Sequence, residues 1–268
     1  MRARAWVLVF LVIGCGGGDG GGSASGTGGA GGQSTGGQST GGQSTGGSGG
    51  QGAGGAGGTS AGGSSGGSCA EAPHTGEATY YAATGDGNCM FGPSPNDLMV
   101  GAMNQADYLA SGSCGRCAAI QGPSGSVTVR IVDRCPECKP GDIDLSPQAF
   151  EKIAALPLGR VDISWTYVPC AVTGPLRYRF KEGSNQWWTA VQVRNHRHGI
   201  AKLEYEKGGS FVEVKREDYN YFVEPAGMGP GPYTFRVTDV YGHSVTDTGV
   251  AHVEASEVSG AAQLPDCP

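Results

Sequence analysis

The chain has 268 residues, but 51 are glycine and most of these precede residue 68, so roughly 200 residues remain to build a core. That is room for one large domain or two of ordinary size. The formal net charge is −6, which argues against a nucleic-acid partner, because such binders are normally basic. Acid is unevenly spread: residues 69–170 carry six Lys/Arg against eleven Asp/Glu, and residues 171–250 carry ten against nine.

Residues 1–15 read MRARAWVLVFLVIGC. Arg2 and Arg4 precede a short apolar run over 5–13, too short to span a bilayer, so a cleaved export signal is expected. Val12-Ile13-Gly14-Cys15 resembles a bacterial lipobox, which implies that Cys15 becomes a lipidated first residue. An exported, lipid-anchored or secreted protein follows. Residues 16–68 are nearly all Gly, Ser, Thr, Ala and Gln, with GGQST three times over 31–45. A five-residue polar repeat buries no core, so a disordered linker is expected, spanning roughly 40 Å r.m.s..

Nine cysteines are present. Without Cys15, eight remain: Cys69, Cys89, Cys114, Cys117, Cys135, Cys138, Cys170 and Cys267. An even number in an exported chain suggests four disulfides. The competing reading is a four-cysteine zinc site, since Cys114-x2-Cys117 and Cys135-x2-Cys138 have suitable spacing. The export signal favours disulfides, and no metal or other cofactor is expected.

Residues 69–171 read as a first, β-rich domain. Short strands are expected over 78–82, 97–102 and 118–121. Val127, Val129 and Ile131 alternate with Thr128, Arg130 and Val132, a half-buried strand. Three acids follow closely: Asp133, Asp142 and Asp144. Ser146-Pro147 then gives an N-cap and a first-turn proline for a short helix carrying Phe150, Ile153 and Ala154. Pro157 and Gly159 stop it, and residues 161–168 form a last strand. Asp142, just after Pro140-Gly141, is expected to be a solvated turn residue.

The run VRIVDRCPECKPGDIDLSPQAF, with GEATYYAATGDGNCMFG upstream, resembles the six-stranded double-psi β-barrel of bacterial expansin-like proteins, shared with plant expansins and family-45 endoglucanases. The resemblance implies that Asp144 is the aspartate needed for wall loosening, that Asp133 supports it in the groove, and that Thr79 is a groove threonine. Cys135 stands where some bacterial members carry a groove tyrosine; Tyr80 or Tyr81 is the available replacement. The pairing of plant expansins implies Cys89–Cys114 and Cys117–Cys170, which leaves Cys135–Cys138 and Cys69–Cys267. Glycoside hydrolysis normally takes two carboxylates. The stretch that carries the second one in family-45 enzymes, residues 79–83 here, has no acid, and Asp86 is the only one nearby.

Residues 172–253 show strand patterns separated only by turns: 176–181, 188–195, 202–206, 211–215, 233–240 and 244–248. An immunoglobulin-like β-sandwich is expected, followed by a C-terminal tail over 254–268. RFKEGSNQWWTAVQVRNH, LEYEK and EDYNYFV resemble the expansin cellulose-binding module. The resemblance implies an aromatic platform of Trp187, Trp188 and Tyr219 with Lys181 beside it. Adjacent strand residues point to opposite faces, so both tryptophans can face a polymer only if the backbone there is irregular; otherwise one belongs in the core.

The expected function is therefore binding of cellulose or a related wall β-glucan by a monomer, with xylan or peptidoglycan as further candidate polymers, and loosening of chain packing without hydrolysis. The alternatives are a glycan-cleaving enzyme on the same barrel, either an endoglucanase or a lytic transglycosylase, and a surface protein that only binds carbohydrate.

Overall fold

The computed structural model describes residues 69–267. The expected signal segment, Cys15 and the glycine-rich linker lie outside the described residues. Among the described residues, no helix is long and apolar enough to cross a membrane.

The first part builds six strands: β1 (His74–Tyr80), β2 (Val100–Asn104), β3 (Cys117–Gly122), β4 (Gly125–Cys135), β5 (Ile143–Leu145) and β6 (Val161–Val168). They close into a barrel in the order β1-β5-β2-β4-β3-β6. Two pairs, β1 with β5 and β2 with β4, run parallel, and the others run antiparallel. Alternation sorts the side chains. Ala78, Met103, Ile131, Ile143, Leu145 and Trp165 fill the interior. The helix α1 (Pro147–Phe150) is one turn long, and the Ser146 hydroxyl accepts from the Ala149 amide at 3.1 Å. Phe150, Ile153 and Ala154 are all buried, the last two on the turns after α1.

The second part holds β7 (Arg177–Phe180), β8 (Thr189–Arg194), β9 (Ile200–Lys207), β10 (Ser210–Arg216), β11 (Phe222–Glu224), β12 (Tyr233–Asp239), β13 (Ser244–Val250) and β14 (Glu257–Ser259). Their order is β13-β12-β9-β10-β11-β8-β7-β14. β10 pairs with β9 over Ser210 to Val214 and with β11 at Lys215 and Arg216, so one strand serves both layers. The sheet folds onto itself: Tyr178 of β7 stacks on Phe235 of β12 with centroids 5.0 Å apart, although several strands separate them in the order. The result is a β-sandwich whose core also holds Phe180, Leu203, Tyr205 and Tyr233.

Residues 254–267 of the segment expected as a tail, 254–268, take part in this sandwich. β14 pairs with β7, Leu264 is buried in the core, and the Ala261 amide donates to buried Asp247 at 2.7 Å. A three-residue strand has too short an alternation to read from sequence. Disulfides join Cys69–Cys267, Cys89–Cys114, Cys117–Cys170 and Cys135–Cys138. All four cysteines of the alternative zinc site are thereby occupied.

Candidate functional site

Strand register brings the barrel acids together. Asp144 of β5 pairs with Thr79 of β1 on one side and with Ala102 of β2 on the other. Ala102 in turn pairs with Asp133 of β4. Thr79, Asp144, Ala102 and Asp133 therefore form one row across four strands, and residues in a row share a face. A bulge makes this possible: Gly101 pairs with Ile131 and Ala102 with Asp133, leaving Val132 extra. Without it Val132 would stand in the row, and Asp133 would turn to the other face. Ile143 and Leu145 point inward on either side of Asp144, which fixes its outward direction.

The Thr79 hydroxyl donates to Asp144 Oδ1 at 2.5 Å. Both line a cleft of about 440 Å³ with Glu77, Asp142, Glu137, Lys139, Arg160 and the Cys135–Cys138 bridge. Arg160 pairs with Glu77 at 2.6 Å in this cleft. Burial pushes the Asp144 carboxyl above its ordinary range. The Thr79 hydrogen bond and Arg160 pull it back, while the Glu137 and Asp133 charges push it further. Asp144 thus stays protonated to higher pH than a free aspartate and can donate to a ligand oxygen or accept from a ligand hydroxyl.

Asp133 is otherwise engaged. Its Oδ1 accepts from the Asn88 amide at 2.7 Å and from the Arg134 amide at 2.8 Å. Gly87 allows this close approach, since a Cβ there would lie 2.3 Å from Asp133 Cγ. Asp142, expected to be solvated, is 8% exposed. Its carboxylate accepts from the Glu77 amide at 2.8 Å and the Lys139 amide at 3.1 Å, which ties the β4–β5 loop to β1. The rule that acids after Pro-Gly are solvated fails because the loop folds back onto β1. Of the two tyrosines, Tyr81 lies beside both acids, whose charges add to burial in raising its phenol pKa. Tyr80 leans on Phe150 of α1, centroids 5.0 Å apart, and does not line the cleft. Glu137 and Arg160 were not singled out in the sequence; the short disulfide loop Cys135-Pro-Glu-Cys138 was the available signal for Glu137.

On the sandwich, strand β8 starts only at Thr189, so Trp187 and Trp188 belong to the preceding turn. The Asn185 carboxamide oxygen accepts from both their amides, at 2.8 and 3.2 Å, which shapes this turn. Neither tryptophan enters the core. Trp187 is 74% exposed, and Trp188 packs with Tyr219 against Ala190, Tyr221 and Val223 on the outer face. The Lys181 ammonium sits 5.9 Å from the Tyr221 ring centroid. Among the described residues, Cys69, His198 and His243 bring three ligand-type atoms within 4.8 Å of one another. Cys69 is closed into its disulfide, so only two imidazoles remain, one short of the protein ligands a zinc site takes.

Expansin-YoaJ of Bacillus subtilis (strain 168) is 39% identical over 197 residues, covering 72% of this chain and 84% of that protein. The chain belongs to the expansin family. Expansin-like protein 1 of Dictyostelium discoideum is 31% identical over 182 residues, 63% of each chain. Among solved structures, the expansin of Clavibacter michiganensis matches with a TM-score of 0.69 at 32% identity, covering 73% of this chain and 99% of that one. A mutant of the same expansin, solved in complex with cellohexaose, matches with the same TM-score, 0.69, at 31% identity. A family model described as lytic transglycolase matches residues 74–165, the barrel of this expansin homologue.

Proposed function

We propose that this expansin binds cellulose-type β-glucan along the barrel cleft and the aromatic face of the sandwich, and loosens chain packing without cutting chains. One observation carries the reading: the residue that faces Asp144 on β1 is Thr79, a hydroxyl donor at 2.5 Å, and residues 79–83, the stretch that carries the second carboxylate in family-45 hydrolases, hold no acid. Asp133, the other acid of the row, already accepts two backbone amides. Asp144 and Thr79 then compete for the hydrogen bonds that hold one glucan chain to the next. The cellohexaose complex of the Clavibacter expansin mutant supports a glucan as the ligand. Trp187, Trp188 and Tyr219 supply apolar faces for sugar rings, each able to bury about 150–250 Å². We further assign Cys15 as a lipid anchor, with residues 16–68 as the tether that holds the folded part off the membrane.

Cellulose pull-down and wall creep test this. Replacing Trp187, Trp188 and Tyr219 together by Ala should abolish pull-down. Asp144→Ala should keep pull-down and remove creep, and undiminished creep would sink its role. The description of the family model that covers the barrel favours a second reading, a lytic transglycosylase, which needs only one acid. New reducing ends or anhydro-sugar products from cellulose, xylan or peptidoglycan would decide for cleavage.

A further inference from the structure

Tyr219 of the aromatic face is flanked on both sides by residues fastened to the barrel. On one side, the Asp218 carbonyl accepts from Asn88 Nδ2 at 2.8 Å and from the Tyr108 hydroxyl at 2.8 Å. On the other, Asn220 holds a left-handed backbone with φ of 63°, and its side-chain amide donates to the Cys89 carbonyl at 3.3 Å. Gln192 Nε2 donates to both the Cys89 and Asn220 carbonyls, at 2.9 and 3.2 Å, and closes the same junction. Asn88 Nδ2 also donates to the Tyr108 hydroxyl at 2.7 Å. Tyr108 is fully buried, so the Tyr108 end of this network is shielded from water.

The barrel side of the junction is anchored on the Asp144 row. The Asn88 amide donates to Asp133 Oδ1 at 2.7 Å, and the Cys89–Cys114 bridge holds the next residue. Asp133 shares its row with Asp144 and Thr79. The connection therefore runs from the row, through Asp133 and Asn88, to the backbone on either side of Tyr219.

We propose that Asp133, Asn88 and Tyr108 are positioning residues that fix the aromatic face in register with the Asp144 cleft, and that Asp133 serves as the anchor of this lock, with no direct action on the sugar. This rests on the reading that cleft and aromatic face engage the same polymer. Binding by the aromatic face does not need the lock; coupling of binding to loosening does. Two surfaces gain from each other only when their geometry lets one chain engage both.

The test separates binding from loosening in the full chain. Asn88→Ala and Tyr108→Phe should bind insoluble cellulose within about twofold of wild type through the aromatic face alone, while wall creep falls by about tenfold or more, within the roughly 10²–10⁴-fold that joint engagement can supply. Should Asn88→Ala fail to fold, Asn88→Asp keeps the size, lacks the donor, and should show the same split. Asp133→Ala should behave like Asn88→Ala. Asp133→Asn, which keeps the Oδ1 acceptor, should restore creep. Wild-type creep in both Asn88 and Tyr108 variants would overturn the lock. Failure of Asp133→Asn to rescue would overturn the anchoring role and give the carboxylate charge a direct one. Absence of creep in the wild type would instead sink the loosening reading on which the lock rests.

Discussion

Thr79→Val is the most pointed perturbation of the cleft. Valine has nearly the shape of threonine but cannot donate to Asp144. The bond it removes is short, 2.5 Å, and ends on a carboxylate. Hydrogen bonds to charged groups contribute about 1.5–3 kcal/mol. Asp144 is half-buried, so solvent screening reduces this to about 1 kcal/mol. Because the hydroxyl stabilises the ionised form, its loss strengthens proton binding, by about fivefold on that energy. Carbon-13 NMR of the side-chain carboxyls across pH reads this directly, with Asp144→Asn identifying the resonance. The titration midpoint of Asp144 should move to higher pH in Thr79→Val. A midpoint that stays put or moves down would refute the hydrogen bond as a determinant of the site's charge.

Other perturbations have equally definite signs. Burial raises the folded-state pKa of Asp144, so its contribution to stability is present below the ordinary carboxylate range and is lost as pH rises through the folded value. Asp144→Asn should therefore melt higher than wild type at neutral pH, and the gap should narrow toward pH 3–4 as wild type regains its protonated form. Replacing Cys69 and Cys267 by Ser opens a loop with a sequence separation of 198, for which chain entropy gives about 5 kcal/mol. Urea unfolding of the double variant should show a loss of several kcal/mol, and a loss below about 1 kcal/mol would refute the chain-entropy account of this bridge. Gly87→Ala drives a Cβ to 2.3 Å from Asp133 Cγ and should destabilise by about 1–3 kcal/mol. Protection of the Asn88 amide from hydrogen exchange should fall with it.

Long alternating strands were legible. Residues 127–132 announced β4, and 161–168 matched β6 to the residue. Short strands were not: β5, β11 and β14 have three residues each, too few for a period of two to stand out. Asp144 and Thr79 were visible because the family resemblance marked both, and register places them side by side. The bulge that turns Asp133 into their row left no local mark, since Val132 looks like any strand residue. In sequence Asp142 looks like a surface residue, because its partners, the amides of Glu77 and Lys139, include one 65 positions away. Asn88, Tyr108 and Gln192 carry no local signal in the sequence for the same reason. Each is an ordinary polar residue until the fold sets it against a backbone carbonyl of a distant segment.

The Cys69–Cys267 bridge, with Cα atoms 5.6 Å apart, makes the chain from 69 to 267 a covalent ring. A single proteolytic cut in any surface loop between those positions leaves two fragments that cannot diffuse apart, and the barrel and sandwich stay paired. The two ends of the folded part, which meet in this way, are also the ones best joined in a circular permutant of that part, with new ends opened at a surface turn such as Gly208-Gly209. A nick in such a loop then relaxes one segment without dividing the molecule.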